Sequence, residues 1–399
     1  MTTTEHDHSR DRRNVIVLAV AQAFYVTSQS MLIILSGLVG AELAANKALA
    51  TLPISTIVIA STLVTIPASL LMKRIGRRAG FMLGTLFGVI GGAVASFAIY
   101  QENFWLFSFG TFIIGVYGGF ALYYRFAAAD VAHADFRSRA ISLVMAGGVV
   151  AAFAGPELVK LTHDMMQDVA FVGSYITVIG LAILSMGLLS RVNIPQLKLE
   201  DRQRGGRPLG ELARQPALIV AVISGMIGYG VMSLVMTATP LSMIGCGFII
   251  DDASFVIQWH IVAMYGPAFF TGDLCRRLGV LKVILTGGIL LAASAGVSLA
   301  GISIEHFWVS LVLLGLGWNF TFIGGSILLT ETYEETERAK VQALNNFLVF
   351  GTVAVASLFS GTILHYLDWN AVNIAAIGPV GIVIVAVLWL ANHRRRQVA

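Results

Sequence analysis

The chain has 399 residues, of which 57% are hydrophobic and only 12% are charged. Soluble domains carry about twice that charged fraction, so this composition excludes an ordinary soluble globular protein. The net charge is +4, but no basic run is long or interleaved with aromatic residues. Membrane lipids are therefore predicted as contacts, and nucleic acid is not.

Apolar stretches of the length that a bilayer requires recur along the whole sequence, and a membrane span needs about 20 mostly apolar residues. Twelve spans are predicted, at residues 14–40, 48–72, 79–101, 104–128, 140–159, 170–190, 216–241, 254–275, 280–303, 307–330, 341–364 and 370–391. The first stretch is too long for a signal peptide and lacks a small-residue cleavage site, so it is expected to remain as the first span. These spans predict an all-α, multi-pass membrane protein.

The longest polar stretch divides the spans into two groups of six. The predicted organisation is a tail at 1–13, a bundle at 14–190, a linker at 191–215, a second bundle at 216–391 and a tail at 392–399. If the chain starts on the cytoplasmic side, all but three of its 26 Lys and Arg residues fall on that side, the exceptions being Lys47, Lys160 and the embedded Arg125. Cytoplasmic loops carry such an excess, so both termini are expected in the cytoplasm.

The two groups of spans also repeat one another. Lys73-Arg74-Ile75-Gly76 after the second span corresponds to Arg276-Arg277-Leu278-Gly279 after the eighth. Asp130, seven residues before Arg137, corresponds to Glu331, seven residues before Arg338. The offsets all lie between about 200 and 203 residues, and several matches at one offset indicate an internal repeat. Because both groups start on the same side, they are expected to be parallel repeats.

With these features the chain resembles the major facilitator superfamily over nearly its whole length. Ser69-x-Leu71-x-Lys73-Arg74-x-Gly76-Arg77-Arg78 is similar to the superfamily's loop signature, except that Ser69 replaces Gly and Lys73 replaces Asp. Gly315-x-Gly317-Trp318-Asn319-Phe320 also resembles a segment of bacterial riboflavin carriers of that superfamily. The resemblance implies a major facilitator fold in a bacterial inner membrane, a small-molecule solute, a monomer and no cofactor.

The resemblance also implies a cytoplasmic gate of charged side chains that forms and breaks during alternating access. The predicted gate residues are Arg74, Arg77, Asp130, Arg137, Asp273, Arg276, Arg277, Glu331 and Arg338. Salt bridges of modest net strength suit an interface that must open. The alternative is that these charges only orient the spans.

Ionisable groups within the spans are rare, and a charge inside a bilayer is usually functional. Arg125 is interpreted as a ligand for an anionic or carbonyl-bearing solute, or as a structurally paired arginine. His260 and Glu157 are the candidates for proton coupling, because a histidine titrates near neutral pH and Glu157 lies at the outer end of the fifth span. A neutral, hydrogen-bonded histidine is the alternative for His260.

Aromatic and amide side chains recur in the spans that line the central cavity of the superfamily. The predicted solute-binding residues are Gln22, Tyr25, Gln29, Tyr117, Tyr124, Arg125, Tyr229, Trp318, Asn319 and Asn345. Aromatic walls with a few amides suit a flat, ring-bearing solute. Interhelical packing is the alternative, because amides also join helices in membranes.

The leading hypothesis is a secondary active or facilitative transporter that takes up a neutral or anionic planar metabolite. The runner-up is a proton-coupled multidrug or metabolite efflux pump, which is disfavoured because no carboxylate lies in the middle of a span. A membrane-embedded enzyme would need a catalytic motif such as His-Glu-x-x-His or Gly-x-Ser-x-Gly, and neither occurs in the sequence. The sequence contains no nucleotide-binding Gly-x4-Gly-Lys-Ser/Thr motif either.

Overall fold

The computed structural model describes residues 3–46, 49, 52–166, 169–194 and 206–398, and this part of the chain contains helices and no β-strand. The helices are α1 (Thr3–Leu43), α2 (Leu52–Ile75), α3 (Arg77–Tyr100), α4 (Phe104–Ala121), α5 (Tyr124–Val131), α6 (Ala134–Ala146), α7 (Gly148–Thr162), α8 (Val172–Leu189), α9 (Leu209–Leu212), α10 (Pro216–Gly245), α11 (Ile250–Tyr265), α12 (Ala268–Leu278), α13 (Val280–Ala300), α14 (Ile304–Leu329), α15 (Arg338–Tyr366) and α16 (Trp369–Val398). The predicted outer charge Lys47 and the linker charges Lys198, Arg202 and Arg204 lie outside the described residues.

Eleven helical stretches in the described residues are long and apolar enough to cross a membrane. The eighth predicted span, 254–275, is missing from these eleven because it is divided into α11 and α12 at Gly266 and Pro267. Proline lacks the backbone N–H that an uninterrupted helix uses and clashes with the preceding turn. The fold is that of a twelve-span membrane protein, with its eighth span broken.

Large apolar side chains cover the outer surfaces of the helices. Ile33, Leu63, Phe97, Phe109 and Leu358 are each more than half exposed. Exposed apolar surface of this extent is unfavourable in water, but lipid tails solvate it. Each helix pairs its own backbone groups internally, which the bilayer requires.

The residues separate into two compact units. Unit 1 comprises Met1–Ala134, Gly147–Arg204 and Gln342–Phe347, and unit 2 comprises Asp135–Ala146, Gly205–Val341 and Leu348–Ala399. Unit 2 therefore includes most of α6, which comes from the first half of the sequence. Unit 1 includes a short segment of α15, which comes from the second half.

The repeat seen in the sequence extends to the backbone conformation. Gly76 separates α2 from α3 with a φ of 87°, and Gly279 separates α12 from α13 with a φ of 91°. Side chains with a Cβ rarely adopt this left-handed region, so glycine is required for each tight reversal between helices. The two basic loops thus share both a sequence pattern and a backbone geometry.

Within unit 2, the part of the linker that the structure describes forms hydrogen bonds with residues at the start of α15. The Glu337 carboxylate is 1% exposed, and it accepts hydrogen bonds from the Arg207 amide at 2.8 Å and from its guanidinium at 2.9 and 2.7 Å. The Lys340 ammonium donates to the Arg207 carbonyl. The hydrogen bonds from Arg207 lower the pKa of Glu337 to about 2.

Replacing Glu337 with Gln should lower the melting temperature by a few degrees at neutral pH, because Arg207 loses its charged partner. The folded pKa lies below the ordinary value of 4.5, so the stabilisation is complete above that value and is lost as the pH falls through it towards the folded pKa. The difference between E337Q and the wild type should therefore shrink between about pH 5 and about pH 3. Thermal melts in detergent at both pH values would measure it.

The matched control is Glu335→Gln, since Glu335 is exposed beside the same helix start. We expect E335Q to melt like the wild type at either pH. A melting-temperature offset for E337Q that stays constant with pH would contradict the ion-pair explanation.

Candidate functional site

Unit 2 contains an aromatic cluster built around Trp318 of α14. The Trp318 ring stacks on Phe322 with centroids 5.1 Å apart, and the edges of Tyr229 and Tyr265 approach it at 5.3 and 5.4 Å. Tyr229 also meets Phe350 at 5.4 Å. Such offset and edge-to-face contacts are the favoured geometries for aromatic pairs. The cluster thus unites α10, α11, α14 and α15.

The indole N–H of Trp318 is buried, and it has no hydrogen-bond partner among the described residues. Trp318 itself is fully buried, while Tyr229 and Tyr265 are half-buried. A buried donor without a partner costs free energy, so such groups call for an explanation. A carbonyl-bearing ligand would satisfy this one.

The neighbouring residue, Asn319, is engaged by the protein itself. Its amide nitrogen donates to the Met264 carbonyl at 2.6 Å, and its oxygen accepts from the Thr271 hydroxyl at 2.6 Å. These partners lie on either side of the break between α11 and α12. Asn319 therefore spans the interruption of the eighth membrane span.

In unit 1, the predicted residues Tyr25 and Tyr117 meet edge to face at 5.3 Å. The Tyr117 hydroxyl donates to Ser185 at 3.3 Å. Gln22 is buried on α1, three residues before Tyr25 and so on the same helix face, and Gln29 is half-buried one turn beyond it. Four of the predicted solute-binding residues thus lie on α1 and α4.

Tyr124 and Arg125 lie at the start of α5, about two turns beyond Tyr117. Tyr124 is fully buried against Phe81, with ring centroids 4.8 Å apart. Arg125 is 4% exposed and donates to the Leu122 carbonyl at 2.9 Å and to the Asn346 side-chain oxygen at 2.7 Å. Its guanidinium also lies 4.4 Å from the centre of the Phe126 ring.

Asn345, the last of the predicted solute-binding residues, is buried beside Asn346. The Asn345 amide lies 3.5 Å from the Asn346 oxygen that Arg125 also contacts. The structure therefore brings Arg125 and Asn345 to one carboxamide, within the part of α15 that belongs to unit 1.

The predicted gate residues Arg77 and Asp130 form a buried ion pair in unit 1. The Arg77 guanidinium contacts the Asp130 carboxylate at 2.9 Å, and the side chains are 6% and 7% exposed. Arg77 also donates to the Gln342 side-chain oxygen at 2.5 Å and lies 5.4 Å from the centre of the Tyr123 ring. A charge pair that is both desolvated and hydrogen-bonded resists disruption more than a surface pair does.

The corresponding charges of unit 2 are more exposed. Asp273 lies 3.7 Å from both Arg139 and Arg276, and Glu331 contacts Arg394 at 2.9 Å. Such solvent-exposed pairs each contribute little to stability. The remaining predicted gate residues lie near helix ends, with Arg74 in unit 1 and Arg137, Arg277 and Arg338 in unit 2.

The two proton-coupling candidates have contrasting surroundings. His260 is fully buried on α11, and its Nδ1 lies 2.7 Å from the Leu311 carbonyl, which fixes that nitrogen as the N–H donor. Its Nε2 is buried without a partner among the described residues. Glu157 pairs with Lys160 at 2.8 Å, and both side chains are mostly exposed.

Three residues with important contacts were absent from the sequence-based predictions. Gln342 and Thr271 bind Arg77 and Asn319, as described above, and Ser142 of α6 contacts α12. Gln342 follows the basic start of the eleventh span, which was the only sequence signal for it. Ser142 and Thr271 are ordinary hydroxyl residues in apolar helices, and no spacing pattern distinguishes them.

Comparison with known proteins relates this arrangement to a large group of carriers. The sequence-family model of the Major Facilitator Superfamily matches residues 18–264 and 253–399 of this chain. The riboflavin transporter RfnT of Brucella anthropi is 41% identical over 384 residues, which cover 96% of each chain. The uncharacterized MFS-type transporter YdeG of Bacillus subtilis is 26% identical, with 94% of this chain and 91% of that protein covered.

Solved structures share the fold at low sequence identity. The E. coli fucose:proton symporter FucP is 15% identical with a TM-score of 0.73, over 94% of this chain and 98% of that one. The human organic anion transporter MFSD10 is 12% identical with a TM-score of 0.77, over 94% and 99%. This chain therefore belongs to the Major Facilitator Superfamily, as a multi-pass membrane transporter that moves a small organic solute by alternating access.

Proposed function

We propose that this protein takes up riboflavin or a closely related flavin across the bacterial inner membrane, with both of its termini in the cytoplasm. The observation that carries this proposal is the 41% identity to the riboflavin transporter RfnT over 96% of both chains. The asymmetric distribution of Lys and Arg supports the orientation.

The chemistry of the aromatic cluster in unit 2 supports a flavin. The isoalloxazine ring of a flavin is flat, and one edge carries two carbonyl oxygens. Tyr229, Tyr265 and Trp318 offer ring faces and edges for stacking, and the unpartnered indole N–H of Trp318 is a donor for a carbonyl. The binding of a flavin at this cluster would satisfy the Trp318 indole N–H, which has no hydrogen-bond partner among the described residues.

The distribution of charge supports a neutral or anionic solute. The only arginine embedded in a span, Arg125, carries donors, and no span has a carboxylate at its centre. A lipophilic cation would need such a carboxylate as its partner. Proton coupling through His260 remains a prediction, and its Nε2 is the atom that would receive the proton.

A ligand screen on the purified protein tests the proposal directly. Riboflavin should raise the melting temperature in proportion to the logarithm of its concentration above the dissociation constant. Aromatic acids and lipophilic cations are the comparison ligands. Stabilisation by lipophilic cations together with no effect of flavins would favour the efflux alternative and refute the proposal.

Trp318→Phe should weaken riboflavin binding by about three- to tenfold, the range expected for the loss of one hydrogen bond between neutral groups. The substitution keeps an aromatic ring but deletes the indole N–H. Titration of flavin fluorescence against purified protein would measure the dissociation constant.

The matched control for that variant is Trp308→Phe on the same helix. Trp308 is 36% exposed and meets Trp259 at 6.4 Å, in a separate aromatic pair. W308F should bind riboflavin like the wild type. Equal affinities for W318F and the wild type would show that the indole N–H makes no contact with the solute.

We further propose that the Arg77, Asp130 and Gln342 contact in unit 1 is a cytoplasmic gate contact. Arg77 is the shared member, since it bonds both to Asp130 at the end of α5 and to Gln342 near the start of α15. The Gln342 bond joins a charged donor to a neutral acceptor and can be exchanged for water. The Arg77 and Asp130 pair would then persist within unit 1 when that bond breaks.

A double-mutant cycle tests this division of roles. Arg77→Ala alone should lower stability strongly, by about 3 kcal/mol or more, because it removes the positive charge that the buried Asp130 carboxylate contacts. Adding Asp130→Asn should restore much of that loss, whereas Gln342→Ala should cost less than R77A. Thermal melts of R77A, D130N, the R77A/D130N double variant and Q342A would measure these losses. A loss in the double variant equal to the sum of the losses in R77A and D130N would contradict the pairing.

A further inference from the structure

Basic side chains gather at one end of unit 2, where α13 begins and α16 ends. Lys282 lies in the first turn of α13, and Arg395 and Arg396 lie near the end of α16. All three are exposed, and their side chains form no ion pair or hydrogen bond with the part of the chain that the structure describes. Arg394 beside them differs, because it contacts the Glu331 carboxylate at 2.9 Å.

The packing of α13 against α16 brings these charges to the same level. The two helices are the ninth and twelfth spans, so they run in opposite directions. A Cβ at Gly288 of α13 would lie 3.1 Å from the Ile384 side chain of α16, which marks a close contact. Lys282 precedes that contact by six residues, or about 9 Å, and Arg395 follows it by eleven residues, or about 16 Å. Both lie towards the same end, and a long lysine side chain extends to the more distant level.

Trp389 marks the depth of the membrane boundary on α16. Its ring is exposed and stacks on His393, with centroids 5.8 Å apart. Tryptophan is enriched where the hydrocarbon core of a bilayer meets the headgroups. Arg395 and Arg396 follow Trp389 by six and seven residues, about 9 to 10 Å further along the helix. Their guanidinium groups are therefore at the level of the lipid phosphates.

Apolar surface continues from the charges along both helices. Ile289 of α13 and Val385 and Leu388 of α16 are each more than half exposed. Leu388 and Arg395 are seven residues apart and so lie on one face of α16. A molecule that fits this surface needs a negative group at one end and apolar chains at the other.

From this arrangement we infer that Lys282, Arg395 and Arg396 bind the headgroup phosphate of an anionic phospholipid, whose acyl chains lie against the exposed faces of α13 and α16. Basic clusters at the ends of membrane helices attract anionic lipids in this way. The lipid supplies the negative partner that the described residues do not provide. The inference holds for any solute and for either orientation of the chain, so it stands apart from the flavin proposal.

A phospholipid fits this surface better than a free anion does. Free phosphate would contact only the exposed side chains, where salt screens its attraction. A lipid would also cover Ile289, Val385 and the apolar stems of the basic side chains. We therefore expect a phosphate that is attached to acyl chains to bind more tightly than inorganic phosphate does.

Lys282→Gln combined with Arg395→Gln should weaken the binding of dioleoyl phosphatidylglycerol about thirtyfold, or roughly fivefold for each charge lost. The measurement is the melting temperature of the full-length protein in a nonionic detergent, titrated with this lipid, because stabilisation reports the dissociation constant. Dioleoyl phosphatidylcholine, which has the same chains and no net charge, should stabilise the wild type less at every concentration. Both side chains are exposed, so without added lipid the variant should melt like the wild type.

The matched control is Arg12→Gln combined with Arg13→Gln, since these exposed residues also remove two positive charges, at the start of the first span. R12Q/R13Q should bind phosphatidylglycerol like the wild type. The charge-conserving variant K282R/R395K should bind it within a fewfold of the wild type. Equal affinities for K282Q/R395Q and the wild type would overturn the inference, and so would an equal loss in R12Q/R13Q. Equal stabilisation of the wild type by inorganic phosphate or by phosphatidylcholine would overturn it too.

Trp389 provides a second, local readout. Bromine atoms on the acyl chains quench the fluorescence of a tryptophan that they touch, and the difference between the wild type and Trp389→Phe isolates the signal of this one ring. Brominated phosphatidylglycerol should quench that signal at a lower concentration than brominated phosphatidylcholine does. In K282Q/R395Q the two lipids should quench it equally. Equal quenching by the two lipids in the wild type would show that this surface does not select for charge, and would overturn the inference.

Discussion

The bilayer requires every backbone polar group to find a partner inside the protein, and the eighth span meets this requirement in an unusual way. Pro267 breaks the span and removes one backbone donor. Side chains compensate on both sides of the break, with Asn319 bonded to Met264 and Thr271, and Ser142 bonded to the first turn of α12. The break is therefore a stable feature with defined partners, and it does not depend on disorder.

The same break lies next to both the aromatic cluster and the side-chain contacts of α12. Tyr265 is the last residue before it and packs against Trp318 of the aromatic cluster. Asn319 follows Trp318 directly in the chain and reaches across the break to α12. A solute that displaced the Trp318 ring would thus move the immediate neighbour of Asn319, the residue whose side chain contacts α12. Physical continuity of this kind makes coupling possible, but only measured interaction energies establish it.

The sequence predicted the twelve spans and the repeat, because hydrophobic length and short motifs at a constant offset can be recognised along the chain. The structure adds that the loops ending in Gly76 and Gly279 have matching conformations. The sequence could not predict that residues 135–146 and 342–347 join the unit of the opposite half. That assignment depends on which helix faces meet, and apolar helices in lipid offer many equivalent faces.

In the candidate site, too, the sequence indicated which residue types matter but not which partners they contact in the folded protein. Trp318 and Tyr229 were predicted from residue type and lie in one cluster, but Phe322 was not singled out, because a phenylalanine in a span is too common to be a signal. Asn319 was predicted to bind solute, while the structure shows both of its polar atoms bonded to the eighth span. An amide's partner is set by what folds beside it, so residue type alone cannot distinguish the two roles.

The two repeats have similar backbone geometry, but each unit also contains a segment from the opposite half of the sequence, residues 342–347 in unit 1 and residues 135–146 in unit 2. The contacts that hold these two segments differ in their chemistry. In unit 1 the contact to α15 is the hydrogen bond to Gln342 from Arg77, which is also the cation of the desolvated pair with Asp130. In unit 2 the contact to α6 runs through the hydroxyl of Ser142 and the bare backbone of Gly272, at the loop-signature position that Ser69 occupies in the first repeat. Breaking a charged contact leaves a group that must find a new partner or water, whereas breaking the neutral contact leaves none. The repeats therefore differ in the chemistry of these contacts despite a common fold, because one depends on a charged donor and the other only on neutral groups.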